Sequence, residues 1–289
     1  MKLFDSHIHL FEKPYSDIFE NTHIKNGEKG EFALYKDYKK KFNITGAFVI
    51  AYENEKWPNN NKFVANLAER NKWTYSFGHI RRDKGNFLLQ AKRLIRMGHF
   101  GTSLYIDQND KAAWLNSKDM DRYWRYLKEN KIPMSINMKA SQVKFLLKVL
   151  ERYPDQVFLL SHMLRPKIIG NKFDKEAYRL VLRLKVFRNV YVKLSGFYGF
   201  VKDGWRYPQK SLFQAIDILK GNFGAEKLIW GSDFSPVLEF NTFRQSFEIL
   251  HREYRGFSRP ELEKVLYKNS LRIIKTFNRR LKNNGRINL

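Results

Sequence analysis

The chain alternates short apolar runs with longer stretches in which apolar residues recur every three or four positions. The short runs have the length and composition of buried strands, and the longer stretches have the periodicity of amphipathic helices. Strands are predicted at 3–11, 44–52, 74–80, 100–106, 132–138, 157–161, 190–194 and 228–232. Helices are predicted at 32–42, 62–70, 86–97, 120–130, 142–153, 175–186, 211–223, 243–253 and 259–278.

Eight strands that alternate with helices over one undivided chain favour a (β/α)8 TIM barrel, an α/β fold. The 289 residues suit one barrel, which typically takes about 250. No Pro/Gly/Ser linker interrupts the chain, so residues 1–289 are predicted to form one domain, with 258–289 as a C-terminal helical segment packed on the barrel. A doubly wound open sheet is the competing fold. However, no G-x-G-x-x-G or Walker sequence follows any strand, and a nucleotide-binding sheet needs one.

Composition narrows the class of protein. Hydrophobic residues make up 43% of the chain, which supports a large packed core. The absence of cysteine excludes disulfides and thiolate metal sites. No apolar run approaches the ~18 residues of a membrane span, and the N-terminus has no apolar run of signal-peptide length. We therefore expect a cytoplasmic protein without a membrane partner.

The charge balance is strongly basic, with 54 Lys and Arg against 29 Asp and Glu, a net charge of +25. Such a charge attracts small acidic substrates or nucleic acid. The basic residues are scattered over many predicted helices, and the one compact cluster, at 279–282, is short. A solvated basic surface therefore explains the charge more simply than nucleic-acid binding. We expect a small anionic substrate as partner, and the sequence is compatible with a homo-oligomer.

The first predicted strand carries two histidines, His7 and His9, two positions apart. Successive side chains of a strand point to opposite faces, so Asp5, His7 and His9 are expected to share one face. Neutral imidazole is a common ligand for zinc, and both rings can reach the same point. Two ordinary histidines, one of them bonded to a nearby carbonyl group, are the alternative interpretation.

Two further polar residues end predicted strands. His162 follows the sixth strand, and Asp233 follows the eighth. Catalytic groups of a (β/α)8 barrel gather at the C-terminal ends of its strands. We therefore expect His7, His9, His162 and Asp233 to converge at the barrel mouth and to form a mononuclear metal site with room for a water molecule.

These segments resemble the amidohydrolase superfamily, and specifically its amidohydrolase-2 branch of barrel hydrolases and decarboxylases. The matching segments are DSHIHLF, LLSHMLRP, VYVKLSG and LIWGSDFSP at the first, sixth, seventh and eighth strands, and NSLRI at 269–273. Their order and spacing cover nearly the whole chain. The resemblance implies a TIM-barrel fold and a metal-dependent enzyme. The branch includes lactonases that act on sugar-derived or aromatic-derived lactones, and non-oxidative decarboxylases of acidic aromatic compounds.

The resemblance also implies roles for individual residues. His7 and His9 would be ligands of one divalent metal ion, expected to be zinc. Asp233 would bind the metal, accept a proton from its water, or both. His162 would be a ligand or a residue that polarises the substrate beside the metal. Asp233 and His162 are therefore the predicted catalytic residues, and a bound ion would lower the pKa of its water toward ~7.

The fifth strand departs from the family pattern. Many metal-dependent members have a histidine at its end, where this chain has Asn137, and an amide oxygen is a weaker zinc ligand than imidazole. The fourth strand ends without a lysine that could be carbamylated to bridge two metals, so a binuclear site is not expected. Some lactonases of this branch also lack the full ligand set, and at least some of them work without metal. The departure therefore favours a lactonase over a decarboxylase.

Residues near the predicted mouth are candidates for binding substrate. The predicted substrate-binding residues are His79, Tyr105, Asn137 and Arg165. Arg165 could hold an acidic group, because a guanidinium binds a carboxylate in bidentate fashion. Packing or surface roles are the alternative for each of them. The same simple interpretation applies to Arg81, Lys193 and Tyr198, which also lie close to strand ends.

These observations together predict a metal-dependent hydrolase that opens a lactone or related ester of a small acidic compound. A non-oxidative decarboxylase on the same site is the near alternative. A TatD-type metal nuclease shares the first-strand pattern and the eighth-strand aspartate, but that family has a bridging glutamate on the fourth strand, and here there is none. A non-catalytic binding barrel is the last alternative, and the intact His7, His9 and Asp233 argue against it.

Overall fold

Eight parallel strands form the centre of the computed structural model, which describes residues 1–15, 24–25, 28–169 and 172–283. In chain order they are β1 (Leu3–Ile8), β2 (Ile44–Ile50), β3 (Thr74–Ile80), β4 (Gly101–Tyr105), β5 (Met134–Asn137), β6 (Phe158–Leu160), β7 (Val190–Leu194) and β8 (Leu228–Trp230). Each strand pairs in parallel with the next. A bridge between Ile8 and Phe234 joins the chain after β8 to β1. The sheet therefore closes into the predicted (β/α)8 barrel.

The helices surround this sheet. Those assigned within the described residues are α1 (Glu31–Lys41), α2 (Asn60–Arg70), α3 (Phe87–Arg96), α4 (Lys118–Glu129), α5 (Val143–Arg152), α6 (Lys175–Tyr178), α7 (Phe213–Phe223), α8 (Phe243–Glu248), α9 (Arg259–Glu263) and α10 (Asn269–Asn283). Two short two-stranded ladders, Ile24–Lys25 with Glu28–Lys29 and Ile168–Ile169 with Lys172–Phe173, lie outside the barrel sheet. In the described part of the chain, no helix has the length and apolar character needed to cross a bilayer.

The helix predicted at 175–186 is wrong in its second half. The chain leaves the α-helical conformation after α6 and continues as a 3₁₀ helix over Val181–Val186. The buried residues Tyr178, Val181 and Leu184 recur every three positions, which is the period of a 3₁₀ helix and not of an α-helix.

The predicted helix at 243–253 ends in a wider turn of π type, and the one at 259–278 is interrupted by another. These turns are Ile249–Glu253 and Lys264–Lys268. Each turn buries an adjacent apolar pair, Ile249 with Leu250 and Val265 with Leu266. The apolar spacing in the sequence does not distinguish such a turn from a continuous α-helix.

The two ends of the barrel differ in polarity. A cluster of buried apolar side chains includes Phe4, Phe77 and Ile229 from the strands together with Ile273 and Phe277 of α10. The Phe277 ring packs edge-on against Phe100, which directly precedes β4, with ring centroids 5.6 Å apart. The C-terminal helix therefore covers the N-terminal end of the strands, and the opposite end is where polar residues collect.

A buried histidine outside this polar end joins α3 to β4. His99 is 4% exposed, and its Nδ1 lies 3.1 Å from the Ser76 hydroxyl oxygen. Its Nε2 has no hydrogen-bond partner among the described residues. Burial lowers the pKa of His99 to about 4. The protein therefore holds this ring in its neutral form.

We expect the free energy of unfolding to fall less on acidification in His99→Leu than in the wild type. The unfolded chain protonates His99 below its ordinary pKa of about 6.5, and the folded chain does so only below about 4, so stability falls as the pH drops between these values. Between about pH 7.5 and about pH 5, the variant should lose about 2 kcal/mol less unfolding free energy than the wild type. Urea denaturation at both pH values measures this, with His251→Leu on the exposed surface as control. Equal losses in wild type and His99→Leu would contradict the assignment.

Candidate active site

The structure brings together the four polar residues that the sequence placed at strand ends. His7 lies in β1, His9 directly follows it, His162 follows β6 and Asp233 follows β8. All four are buried, with at most 8% of each residue exposed. The Nε2 atoms of His7 and His9 are 3.1 Å apart, and Asp233 Oδ1 lies 3.7 Å and 3.6 Å from them. The rings of His7 and His162 are 4.5 Å apart between centroids.

The seam between β8 and β1 places Asp233 against the histidines. The Asp233 N–H donates to the His7 carbonyl at 2.9 Å, and the His9 N–H donates to the Phe234 carbonyl. Gly231 permits this close approach, because a Cβ atom at that position would lie 2.6 Å from the Cβ of His7. The backbone of the seam thus fixes the carboxylate beside the two imidazoles.

Asp5 does not join the cluster, although it was expected on the same face. The register of β1 against β2 shifts after Asp5. Its carboxylate accepts hydrogen bonds from the Ser232 N–H at 2.8 Å and from the Tyr35 hydroxyl at 3.1 Å. Burial raises the pKa of Asp5 to about 7. The expected shared face holds for His7 and His9, and Asp5 instead connects β1 to the chain after β8 and to α1.

The chain after β6 turns in the left-handed conformation. The φ angles of residues 162–165 lie between 53° and 58°. This conformation costs roughly 1–2 kcal/mol for an L-residue, and such strain is concentrated at functional sites. Ser195 Oγ lies 3.0 Å from His162 Nδ1. Gly196 leaves room for this ring, because a Cβ atom there would lie 2.7 Å from the same nitrogen.

Hydrogen bonds determine which imidazole nitrogens are free. His9 Nδ1 lies 2.8 Å from the Ile50 carbonyl oxygen, so this nitrogen carries the proton and Nε2 keeps its lone pair. His7 Nδ1 lies 3.0 Å from the Nζ of Lys193. The same Nζ donates to the Ser135 hydroxyl oxygen at 2.9 Å. Lys193 therefore lies directly behind the two histidines.

Burial sets the electrostatics of the cluster. It lowers the pKa of His162 to about 3 and of His9 to about 4, and, with Lys193 adding to the effect, it holds that of His7 well below the ordinary value. All three rings are thus neutral near pH 7. Burial also lowers the pKa of Lys193 to about 7 and raises that of Asp233, the latter against the opposing effect of His9.

The two oxygens of Asp233 have different surroundings. Oδ2 accepts a hydrogen bond from the Tyr198 hydroxyl at 2.7 Å, and it lies 3.9 Å from His162 Nδ1. Oδ1 is the oxygen that faces the Nε2 atoms of His7 and His9. The oxygen nearest the imidazoles is therefore the one that Tyr198 leaves free.

The donor set fits a single divalent metal ion. One ligand atom from each of His7, His162 and Asp233 lies within 4.8 Å of the others. The three atoms contributed by His7, His9 and Asp233 are 3.1 to 3.7 Å apart. Ligand atoms at the usual distance from a tetrahedral zinc ion are separated by about 3.4 Å. Neutral imidazole nitrogens with one carboxylate oxygen are a typical zinc set.

A cavity of about 380 Å³ opens over the ends of β2 to β6. The predicted substrate-binding residues His79, Tyr105, Asn137 and Arg165 all line it. The Tyr105 ring connects this cavity to the cluster, with its centroid 6.4 Å from that of His9. The cavity therefore lies beside the cluster, with the Tyr105 ring between them.

Three residues that line this cavity have hydrogen-bonding states that follow from their burial. The Tyr105 hydroxyl and Asn137 Oδ1 are buried and have no hydrogen-bond partner in the described structure. Burial holds the pKa of Tyr105 well above its ordinary value, so the phenol keeps its proton. His79 Nδ1 accepts from the Glu53 N–H at 2.9 Å, and burial lowers its pKa to about 4. His79 is thus neutral with its proton on Nε2, and it offers a donor.

Arg165 is a cationic group of the cavity that interacts electrostatically with Asp107 without forming a salt bridge. Within the described ranges it forms no ion pair, whereas Arg81 pairs with Asp83 and Arg82 pairs with Asp110. Burial lowers the pKa of Arg165, which still leaves a guanidinium charged near neutral pH. The guanidinium of Arg165 therefore contributes a positive charge to the cavity, partly offset by Asp107.

Two residues of the cluster were interpreted from sequence as packing residues. Lys193 contacts His7, and Tyr198 contacts Asp233. Tyr191 and Lys193 in β7, and Ser195 directly after it, alternate with apolar residues. This alternation places the lysine on one face of the strand and could have indicated that it faces the barrel interior. No comparable pattern marked Tyr198, because the segment after β7 contains several aromatic residues.

Solved structures with the same fold include three that are 17% identical or less. A Burkholderia multivorans amidohydrolase with bound zinc has a TM-score of 0.76 at 17% identity, over 95% of this chain and 99% of that chain. A probable 2-pyrone-4,6-dicarboxylic acid hydrolase from Acinetobacter baumannii, with citric acid bound, has a TM-score of 0.73 at 17% identity. The match covers 95% of this chain and 100% of that chain. The 2,6-dihydroxybenzoate decarboxylase from Rhizobium has a TM-score of 0.62 at 10% identity. The match covers 95% of this chain and 99% of that chain.

Comparison with curated proteins gave no match. The sequence model of the amidohydrolase family, in contrast, matches residues 5–275. That range includes every residue of the cluster and of the cavity, and it spans nearly the whole chain. The protein therefore belongs to the amidohydrolase family.

Proposed function

We propose that this protein is a hydrolase that opens a lactone or related ester of a small anionic compound at the cluster of His7, His9, His162 and Asp233. The observation that carries the proposal is the position of this cluster beside a cavity lined by Arg165, which forms no salt bridge within the described residues. The family supports it, as does the fold shared with the Acinetobacter protein, whose name describes a dicarboxylic acid hydrolase.

His7, His162 and Asp233, with His9 beside them, are the residues that would hold one divalent ion, and zinc suits their nitrogen and oxygen donors. Such an ion, when bound, polarises a carbonyl group and makes water more acidic. The zinc bound by the Burkholderia protein is in keeping with this assignment.

The reaction assigned to these residues is the addition of water to an acyl carbon. The Asp233 carboxylate takes a proton as the water oxygen bonds to that carbon. The ring C–O bond then breaks, and the proton passes from Asp233 to the departing oxygen. The products are a hydroxyl group and a carboxylate, so atoms and charge balance once the new acid ionises.

The cavity residues act by binding and orientation. Arg165 forms charge-assisted hydrogen bonds to an acidic group of the substrate. Tyr105, with its unpartnered hydroxyl, donates to a substrate oxygen, and the neutral His79 donates from Nε2. Asn137 Oδ1 accepts from a substrate hydroxyl group. Burial of these groups strengthens each contact, because the low local dielectric reduces competition from water.

A non-oxidative decarboxylase is the second candidate. The Rhizobium neighbour is a decarboxylase by name, and an acidic group held in the cavity would suit that reaction as well. Asn137, in place of the fifth-strand histidine of many metal-dependent relatives, favours the lactonase. The two reactions are separated by their products, since only the decarboxylase releases carbon dioxide.

Elemental analysis of the purified protein tests the metal assignment. We expect about one zinc ion per chain in the wild type, and its loss in His7→Ala and in Asp233→Ala, because each removes one of the ligands. His251→Ala, on the exposed surface, is the control and should retain the metal. Two metal ions per chain would favour the nuclease instead. No metal in any preparation would remove the metal from the proposed mechanism.

Substitution of Arg165 tests the substrate class. With carboxylated lactones, Arg165→Gln should raise KM by about 10- to 100-fold, the usual effect of losing hydrogen bonds to a charged group. With neutral lactones the change should be small. Hydrolysis is followed by acid release, carbon dioxide is measured in parallel, and Arg96→Gln on exposed α3 is the control. Equal effects on both classes of lactone would contradict the assigned role of Arg165.

A further inference from the structure

Within the described residues, Tyr198 alone donates a side-chain hydrogen bond to the carboxylate of Asp233. Its hydroxyl donates to Oδ2 at 2.7 Å. Burial, together with the nearby Asp233, holds the pKa of Tyr198 well above its ordinary value, so the phenol remains a donor. The ring does not line the cavity that we assign to the substrate. The Tyr198 hydroxyl is therefore engaged by the carboxylate of Asp233.

The hydrogen bond from Tyr198 determines the orientation of the Asp233 carboxylate. A carboxylate that rotates about its bond to Cβ exchanges its two oxygens, and either one could then face the imidazoles. With Oδ2 held by Tyr198, Oδ1 stays 3.6 Å from His9 Nε2 and 3.7 Å from His7 Nε2. The hydroxyl thus selects one of two orientations of Asp233.

The segment after β7 holds Tyr198 rigidly. Its ring is stacked on that of Phe240, with centroids 4.8 Å apart and an interplanar angle of 14°. Its carbonyl lies against Gly204, where a Cβ atom would come within 2.4 Å of the Tyr198 oxygen. The Gly204 carbonyl in turn accepts from Gln209 Nε2 at 2.8 Å and from Asn241 Nδ2 at 3.2 Å. The hydroxyl is therefore fixed by contacts on its ring and on its backbone.

We propose that Tyr198 is a positioning residue that orients Asp233 for metal binding and proton transfer, and that Gly204 maintains its position. The role rests on the proposed function of Asp233. Partners that hydrogen-bond to a ligating carboxylate commonly change metal affinity or activity by 10- to 100-fold. A purely structural role would come from the stacked ring, which Tyr198→Phe leaves in place.

The first experiment measures zinc affinity by competition with a chromophoric chelator. Tyr198→Phe should bind zinc about 10- to 100-fold more weakly than the wild type. Gly204→Ala should change affinity in the same direction, because its methyl group displaces Tyr198 without touching the cluster. Tyr75→Phe, whose ring packs against Phe4 near the start of the strands, is the matched control. Unchanged affinity in Tyr198→Phe would overturn the proposal.

The kinetic experiment separates orientation from substrate binding. In Tyr198→Phe, kcat for a carboxylated lactone should fall by about 10- to 100-fold while KM stays within about twofold of the wild type. A rise in KM with kcat unchanged would place Tyr198 in the substrate site and overturn its assignment as a positioning residue.

A third measurement does not depend on hydrolysis or on metal. In metal-free protein labelled with ¹⁵N in its histidines, the ring resonances of His7, His9 and His162 should shift in Tyr198→Phe, since the carboxylate beside them is no longer held. The resonance of His99 should stay unchanged. If the wild type neither hydrolyses lactones nor binds zinc, the proposed function fails, and this spectrum still decides the role of Tyr198. Unshifted cluster resonances would overturn it.

Discussion

The active site depends on the closure of the barrel between its last and first strands. One buried carboxylate, that of Asp5, accepts the Ser232 N–H and the Tyr35 hydroxyl, and so connects β1 to the chain after β8 and to α1. Two backbone bonds then join His7 to Asp233 and His9 to Phe234. Without this seam, the carboxylate and the two imidazoles would belong to opposite edges of an open sheet. Closure therefore creates the cluster as well as the fold.

The cluster requires polar groups to be buried, and each is compensated by a specific partner. His9 donates to a backbone carbonyl, Asp233 accepts from Tyr198, and Lys193 donates to Ser135. The Tyr105 hydroxyl and Asn137 Oδ1 are the exceptions in the cavity, since neither has a partner in the described chain. An unpaired buried polar atom usually costs about 1–3 kcal/mol. Under the proposed function, a substrate would supply the missing hydrogen bonds.

The fold and the four clustered residues were accessible from sequence because both follow from periodicity. Strand alternation and the rule that barrel chemistry lies at strand ends brought His7, His9, His162 and Asp233 together without coordinates. The same reasoning did not reach the Lys193–His7 contact, which joins residues 186 positions apart across the barrel. It also misplaced Asp5, because a register shift inside β1 breaks the alternation. Sequence patterns give the face of a residue, and the neighbour on that face depends on how the strands are staggered.

The left-handed turn after β6 has a consequence for how substrate preference could change. It carries His162 at one end and Arg165 at the other, so a short, conformationally restricted segment separates the two residues to which we assign the reacting group and the acidic group of the substrate. Under the proposed function, the distance between these two side chains limits the length of the substrate. Lengthening a loop elsewhere on the barrel would alter the volume of the cavity and leave this distance unchanged. Acceptance of a longer or shorter acid would require a cation supplied from a different strand end.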